Sequence, residues 1–255
     1  MNLKDLVKDE YSTLEEKVQT QLIQEKPSQV VLQILTAFEE WLSISGIQDM
    51  NYWNGNTTKE LLKNVFYSKN DITNFTTQLP LIEQRVIYQK NNMWKSNFSR
   101  AGIFLSSLIN FYYEKNNTEN NTEEIILFLK GLEKPISYIG YHNAFAHILI
   151  HGDSGICLGT SMTDGEITLL GSTCTEGGSS HAGQNMKGGI LHLPNARNAC
   201  SYMSGGKIHI KRATGILGWK MEGGEIYISE SYEKISEDCK GKIYFKGKLI
   251  HGEEE

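Results

Sequence analysis

The sequence predicts an α+β protein in which an α-helical bundle is followed by a parallel β-helix, a solenoid of short stacked coils. Three observations predict it. Apolar residues recur at helical spacing from Leu3 to Tyr113, a stretch that holds few glycines. Most of the 24 glycines fall after residue 130. A Met-x-Gly-Gly pattern then returns at Met186, Met203 and Met221, preceded by the variant Met162-Thr-Asp-Gly165, at intervals of 24, 17 and 18 residues.

The helices come first. Leu3, Leu6, Val7, Leu14, Val18, Leu22 and Ile23 mark one or two helices, with Thr13 and Glu16 as a capping box. After Pro27, Ser28 is placed to cap a helix that carries Val30, Val31, Ile34, Leu35, Phe38, Trp41 and Leu42 on one face and stops at Gly46. Thr57 and Glu60 form a second capping box ahead of Leu61, Leu62, Val65 and Phe66, and a periodic region runs from about Leu81 to Tyr113. Residues 115–122 hold no apolar side chain and read as a solvated loop. The aromatic residues Phe38, Trp41, Trp94, Phe104, Phe111 and Tyr112 read as bundle core, whereas Tyr52 and Trp53 stand in a polar loop that could meet a partner. The expected organisation is a helical domain over 1–122, a connecting segment over 123–139 and the β-helix over 140–255.

Four aligned copies define the repeat: Met162 with Gly165, Met186 with Gly188 and Gly189, Met203 with Gly205 and Gly206, and Met221 with Gly223 and Gly224. A shortened copy at Cys239 and Gly241 closes the series, and Ile148-Leu149-Ile150 supplies an earlier strand, for six rungs in all. A coil as short as the step from Met186 to Met203 leaves no room for a helix and fits short strands joined by tight corners. Side-chain alternation then turns Ile167, Leu191, Ile208, Ile226 and Ile243 inward as one column, and Leu169, Leu193, Ile210, Ile228 and Phe245 as a second. The glycines serve corners that need positive φ and close backbone approach.

Outward positions carry the candidate chemistry. His192 and His209 fall on adjacent rungs and could share a metal, but no third ligand shares their register, so a surface ladder is expected and no metal or cofactor is assigned. Cys174, Glu176, Ser179 and His181 stand in the one long insertion and invite a nucleophile reading, against which a bulging loop is preferred. The four cysteines form no Cys-x-x-Cys pair and read as buried thiols. A formal charge of −5 lacks the basic footprint of nucleic-acid or anionic-membrane binding. The charged amino terminus is unlike a signal peptide and no segment is apolar enough for a membrane span, so a cytoplasmic location is expected.

The series Gly152-Asp-Ser-Gly155-Ile-Cys-Leu-Gly159-Thr-Ser-Met162-Thr-Asp-Gly165, echoed at Gly183 to Gly189 and Gly215 to Gly224, resembles the GXGXG repeat domain. That domain closes the large chain of glutamate synthase and makes up one of the subunits of formylmethanofuran dehydrogenase. The resemblance covers roughly residues 140–250 and departs from the pattern at Asp164, at Asn198-Ala199-Cys200 and in the last copy. It implies a right-handed single-stranded β-helix that acts as scaffold between catalytic partners. The expected function is therefore a non-catalytic scaffold or interaction subunit, bound to protein partners of an oxidoreductase or amidotransferase complex. The alternative is a stand-alone enzyme at the meeting of the helical domain and the β-helix, using some of Cys174, His181, His192, His209 and Glu225.

Overall fold

The computed structural model describes residues 26–43, 55–82, 97–116, 124–173 and 180–253. Among the described residues four helices precede the sheet: α1 (Gln29–Ser43), α2 (Asn56–Leu62), α3 (Lys69–Ile82) and α4 (Asn97–Asn116). Ser28 caps α1 as expected, its hydroxyl accepting from the Val31 amide at 3.2 Å. The Thr57–Glu60 capping box does not form; Gly55, at φ 74°, occupies the cap of α2 without a side-chain hydrogen bond. Helix α3 is an addition to the expected set, because its sequence is largely polar. Its start is nonetheless written in Ser68 and Asp71: the Ser68 hydroxyl accepts from the Asp71 amide at 3.2 Å, and Asp71 accepts from the Ser68 amide at 2.9 Å. The first expected helix, Tyr52, Trp53, Trp94 and the loop beyond Asn116 lie outside the described residues.

Phe38, Trp41, Phe75 and Phe104 are buried at the centre of the helices. Phe104 lies 5.1 Å from Phe38 and 5.6 Å from Trp41, in tilted and edge-on arrangements suited to ring quadrupoles.

The remainder is a parallel β-helix. Strands β1 (Glu124–Phe128), β2 (His147–His151), β3 (Glu166–Leu169), β4 (Ile190–Arg197), β5 (Lys207–Leu217), β6 (Glu225–Ile235) and β7 (Lys242–Phe245) pair in sequence order, all parallel. Strand β8 (Lys248–His251) then turns back antiparallel on β7. The inward columns pair as the alternation requires: Ile148, Ile167, Leu191, Ile208, Ile226 and Ile243 follow one another in register. Strand β1 adds a rung before them, inside the segment 123–139 that the sequence reads as a connector. It carries no Met-x-Gly-Gly signature, only the apolar run Ile125 to Phe128, so the repeat does not reveal it.

One hydrophobic core runs unbroken from the helices into the solenoid. Polar contacts fix the junction. Thr76 of α3 accepts from the Phe128 amide of β1 at 3.0 Å, and Ser106 of α4 donates to the Tyr138 carbonyl at 2.9 Å. Gly102 of α4 lies so close to the Ser137 carbonyl that a Cβ there would collide with it. The helices therefore close the end of the solenoid where the first rung would otherwise expose its edge and core.

Candidate functional site

The corners explain the glycine pattern and decide which side chains are free to work. Each Met of the repeat is buried. For the first three, the methyl group reaches over the second glycine of the following coil. A Cβ on Gly189 would stand 2.5 Å from Met162 Cε, on Gly206 2.7 Å from Met186 Cε and on Gly224 2.6 Å from Met203 Cε. These glycines also hold φ between 79° and 90°. Gly165 shares that conformation at 81°. Gly188, Gly205 and Gly223 meet a backbone carbonyl of the preceding coil instead, so for them close approach is the constraint. Gly241 stays outside the left-handed region, and there Met221 crowds the site a Cβ would take. At Asp164, which stands where the other copies have the first glycine, the carboxylate accepts from the Gly165 amide at 2.8 Å.

The residues before each Met alternate through the left-handed region. Cys157, Gly159 and Ser161 have φ of 64°, 65° and 58°, and Asn198, Cys200 and Tyr202 repeat the pattern at 50°, 64° and 57°. The spacing thus marks alternating handedness rather than glycine itself. Asn198 and Cys200 take it without glycine, Asn198 offering its Oδ1 to the Ile216 amide at 2.8 Å.

The outward face of the sheet carries a column of aromatic rings beside a column of charges. His192, His209, Tyr227 and Tyr244 share a column on β4 to β7. Their rings stack at 4.7, 4.8 and 4.8 Å with interplanar angles of 14°, 9° and 7°. That spacing is the strand separation itself, so the backbone ladder sets the ring stack. The adjoining column carries the charges. Tyr227 donates to Glu225 at 2.6 Å, and Lys207 lies 3.3 Å from the same carboxylate. The hydrogen bond from Tyr227 holds the Glu225 carboxyl below its usual range and pushes the Tyr227 phenol up to about 12. Burial, the His192 ring and the Lys207 ammonium lower the pKa of His209.

Register alone gives His192 no carboxylate, because Glu166 lies one rung back in the neighbouring column. The side chain reaches across: Glu166 Oε1 is 3.0 Å from His192 Nε2, and Oε2 is 3.6 Å from His147 Nδ1. Side-chain length spans registers that backbone alignment keeps apart. Among the described residues no group of three or more His, Cys, Asp or Glu side chains is set to hold a metal ion.

The other candidates lie elsewhere. His181 belongs to a corner, at φ 48°, and its Nδ1 meets no hydrogen-bond partner among the described residues. Cys174, Glu176 and Ser179 lie outside the described residues. Cys157, Cys200 and Cys239 are buried, and burial raises the pKa of each thiol. At the junction of helices and solenoid a cavity of about 180 Å³ is lined by Lys59, Asn110, Glu114, Tyr141 and His142 among others. Neither His181, His192, His209 nor Glu225 lines it.

No protein-family model, curated protein or solved structure matches this chain.

Proposed function

We propose that the chain is a non-catalytic scaffold whose solenoid docks a protein partner on its ring-lined outward face. The observation that carries this reading is the stack His192–His209–Tyr227–Tyr244, held by backbone register and by the Glu225 and Lys207 contacts. Rings already fixed in place lose little side-chain entropy when a partner covers them, and tyrosine gives apolar area with a polar tip. Such a surface suits recognition. The GXGXG resemblance supports a partner that is a catalytic subunit of an oxidoreductase or amidotransferase complex; that step rests on fold analogy. The alternative reading, a stand-alone enzyme, is favoured by the cavity between helices and solenoid, with His142 rather than the outward histidines on its wall.

Photo-crosslinking in the native host separates the two. A benzoylphenylalanine at position 227 should capture one discrete protein, and the same residue at Glu222 on a corner should not. Charge placed in the stack by Tyr244→Asp should abolish the adduct. An absence of adducts, together with turnover by the purified chain that is lost on His142→Ala, would replace the scaffold with the enzyme.

A further inference from the structure

The solenoid ends on an unfinished coil. Along β4 and β5 the distal half of each strand is paired by the distal half of the next: Asn195 to Arg197 face Arg212 to Thr214, and Arg212 to Leu217 face Ser231 to Ile235. Strand β6 breaks the series. Its first four residues, Glu225 to Ile228, pair with β7, and then the chain reverses into β8. Among the described residues no strand covers the outer edge of Ser229–Ile235, and residues 229–234 are all exposed.

What stands at this edge favours one kind of occupant. Tyr232 takes the inward position held by Ala213 and Ala196 in the two coils before it. Its ring lies 5.1 Å from Phe245, edge-on, and is 37% exposed at the open end of the core. An incoming strand would lay an apolar side chain on that pair, as every earlier coil does on its predecessor. The charges along the edge are unbalanced. Glu230, Glu233, Glu237 and Asp238 are exposed, against Lys234 within that stretch and, at its start, Lys246, whose ammonium lies 5.0 Å from the Phe245 ring. Glu230 lies 3.8 Å from Arg212 yet its side chain is still 52% exposed, and Glu233 accepts from the Gly215 amide at 2.6 Å.

We infer that Ser229–Ile235 is a strand-addition site that receives an extended basic segment of a partner, alternating apolar and Lys or Arg residues, as the missing strand of the last coil. Main-chain hydrogen bonds would give affinity, the Tyr232–Phe245 platform would select the apolar position, and the carboxylates would select the charge. The site is separate from the ring-lined face and goes beyond the scaffold reading, so each can fail without the other.

Three synthetic peptides test it on the full chain, read by fluorescence anisotropy and amide hydrogen exchange. The first alternates Val with Lys, the second replaces Lys with Glu, and the third is the first with its pairing amides N-methylated. The basic peptide should bind at least about tenfold more tightly than the acidic one and slow exchange at residues 229–235. N-methylation should abolish both effects. Glu230→Gln combined with Glu237→Gln should weaken binding and leave the melting temperature unchanged. Absence of binding, equal binding of the acidic peptide, survival of binding after N-methylation, or protection elsewhere would each overturn the proposal. Concentration-dependent protection of this edge by the chain alone would overturn it in favour of a second copy.

Discussion

At the scale of single residues, the Met-x-Gly-Gly spacing is a contact between coils written twice. Met186 covers Gly206 and Met203 covers Gly224, so the period in sequence reproduces a stacking in space. Gly206→Val forces a branched side chain into φ 87° and into Met186 Cε and the Gly189 carbonyl, at a cost of about 2 to 4 kcal/mol. Lys207→Ala removes one exposed ion pair and should change stability by less than about 0.5 kcal/mol. Denaturant unfolding of the two variants checks the difference, and equal midpoints would remove the corner assignment. What the residues do not disclose is reach. The Glu166–His192 contact crosses both a rung and a column, and alternation says which face a side chain takes but not how far it leans.

For the elements, legibility follows periodicity. Strands β3 to β7 are readable because an inward apolar column repeats with a marked corner, and α1 because Ser28 and its apolar stripe agree. Helix α3 escapes notice because Thr76, Thr77 and Gln78 bury beside Phe75 and Leu79, so its buried face does not look apolar in the sequence. The ring ladder makes an element-level prediction about pH. Burial and the charges of His192 and Lys207 hold His209 below its ordinary pKa of 6.5, so the unfolded chain binds that proton more readily than the folded one. Stability should therefore fall as pH drops below about 6.5, down to the folded pKa, and hold above that window. His209→Gln should flatten that part of the curve. A slope in thermal unfolding between pH 7 and 5 that is the same in both proteins would show that His209 contributes nothing to it.

For the whole molecule, the helices close one end of the core, whereas at the other the β8 hairpin covers β7 and leaves the edge of Ser229–Ile235 open. Removing residues 1–135 would strip α1 to α4 and β1, and with them the strand whose Ile125 and Leu127 pair with Ile148 and Ile150. The shortened chain should self-associate on gel filtration with light scattering while the full chain stays discrete. A soluble monomer with the parent melting temperature would make the two halves independent modules. The same asymmetry reaches into biosynthesis. Paired parallel strands are never far apart in sequence: the shortest steps run from Ile190 to its partner Lys207 and from Glu225 to Lys242, and the longest only from Glu166 to Ile190. The closed end is also the one translated first. Each coil can therefore settle on a finished template as it leaves the ribosome, with one growing edge at a time, and the nascent chain should acquire protease resistance in coil-sized steps.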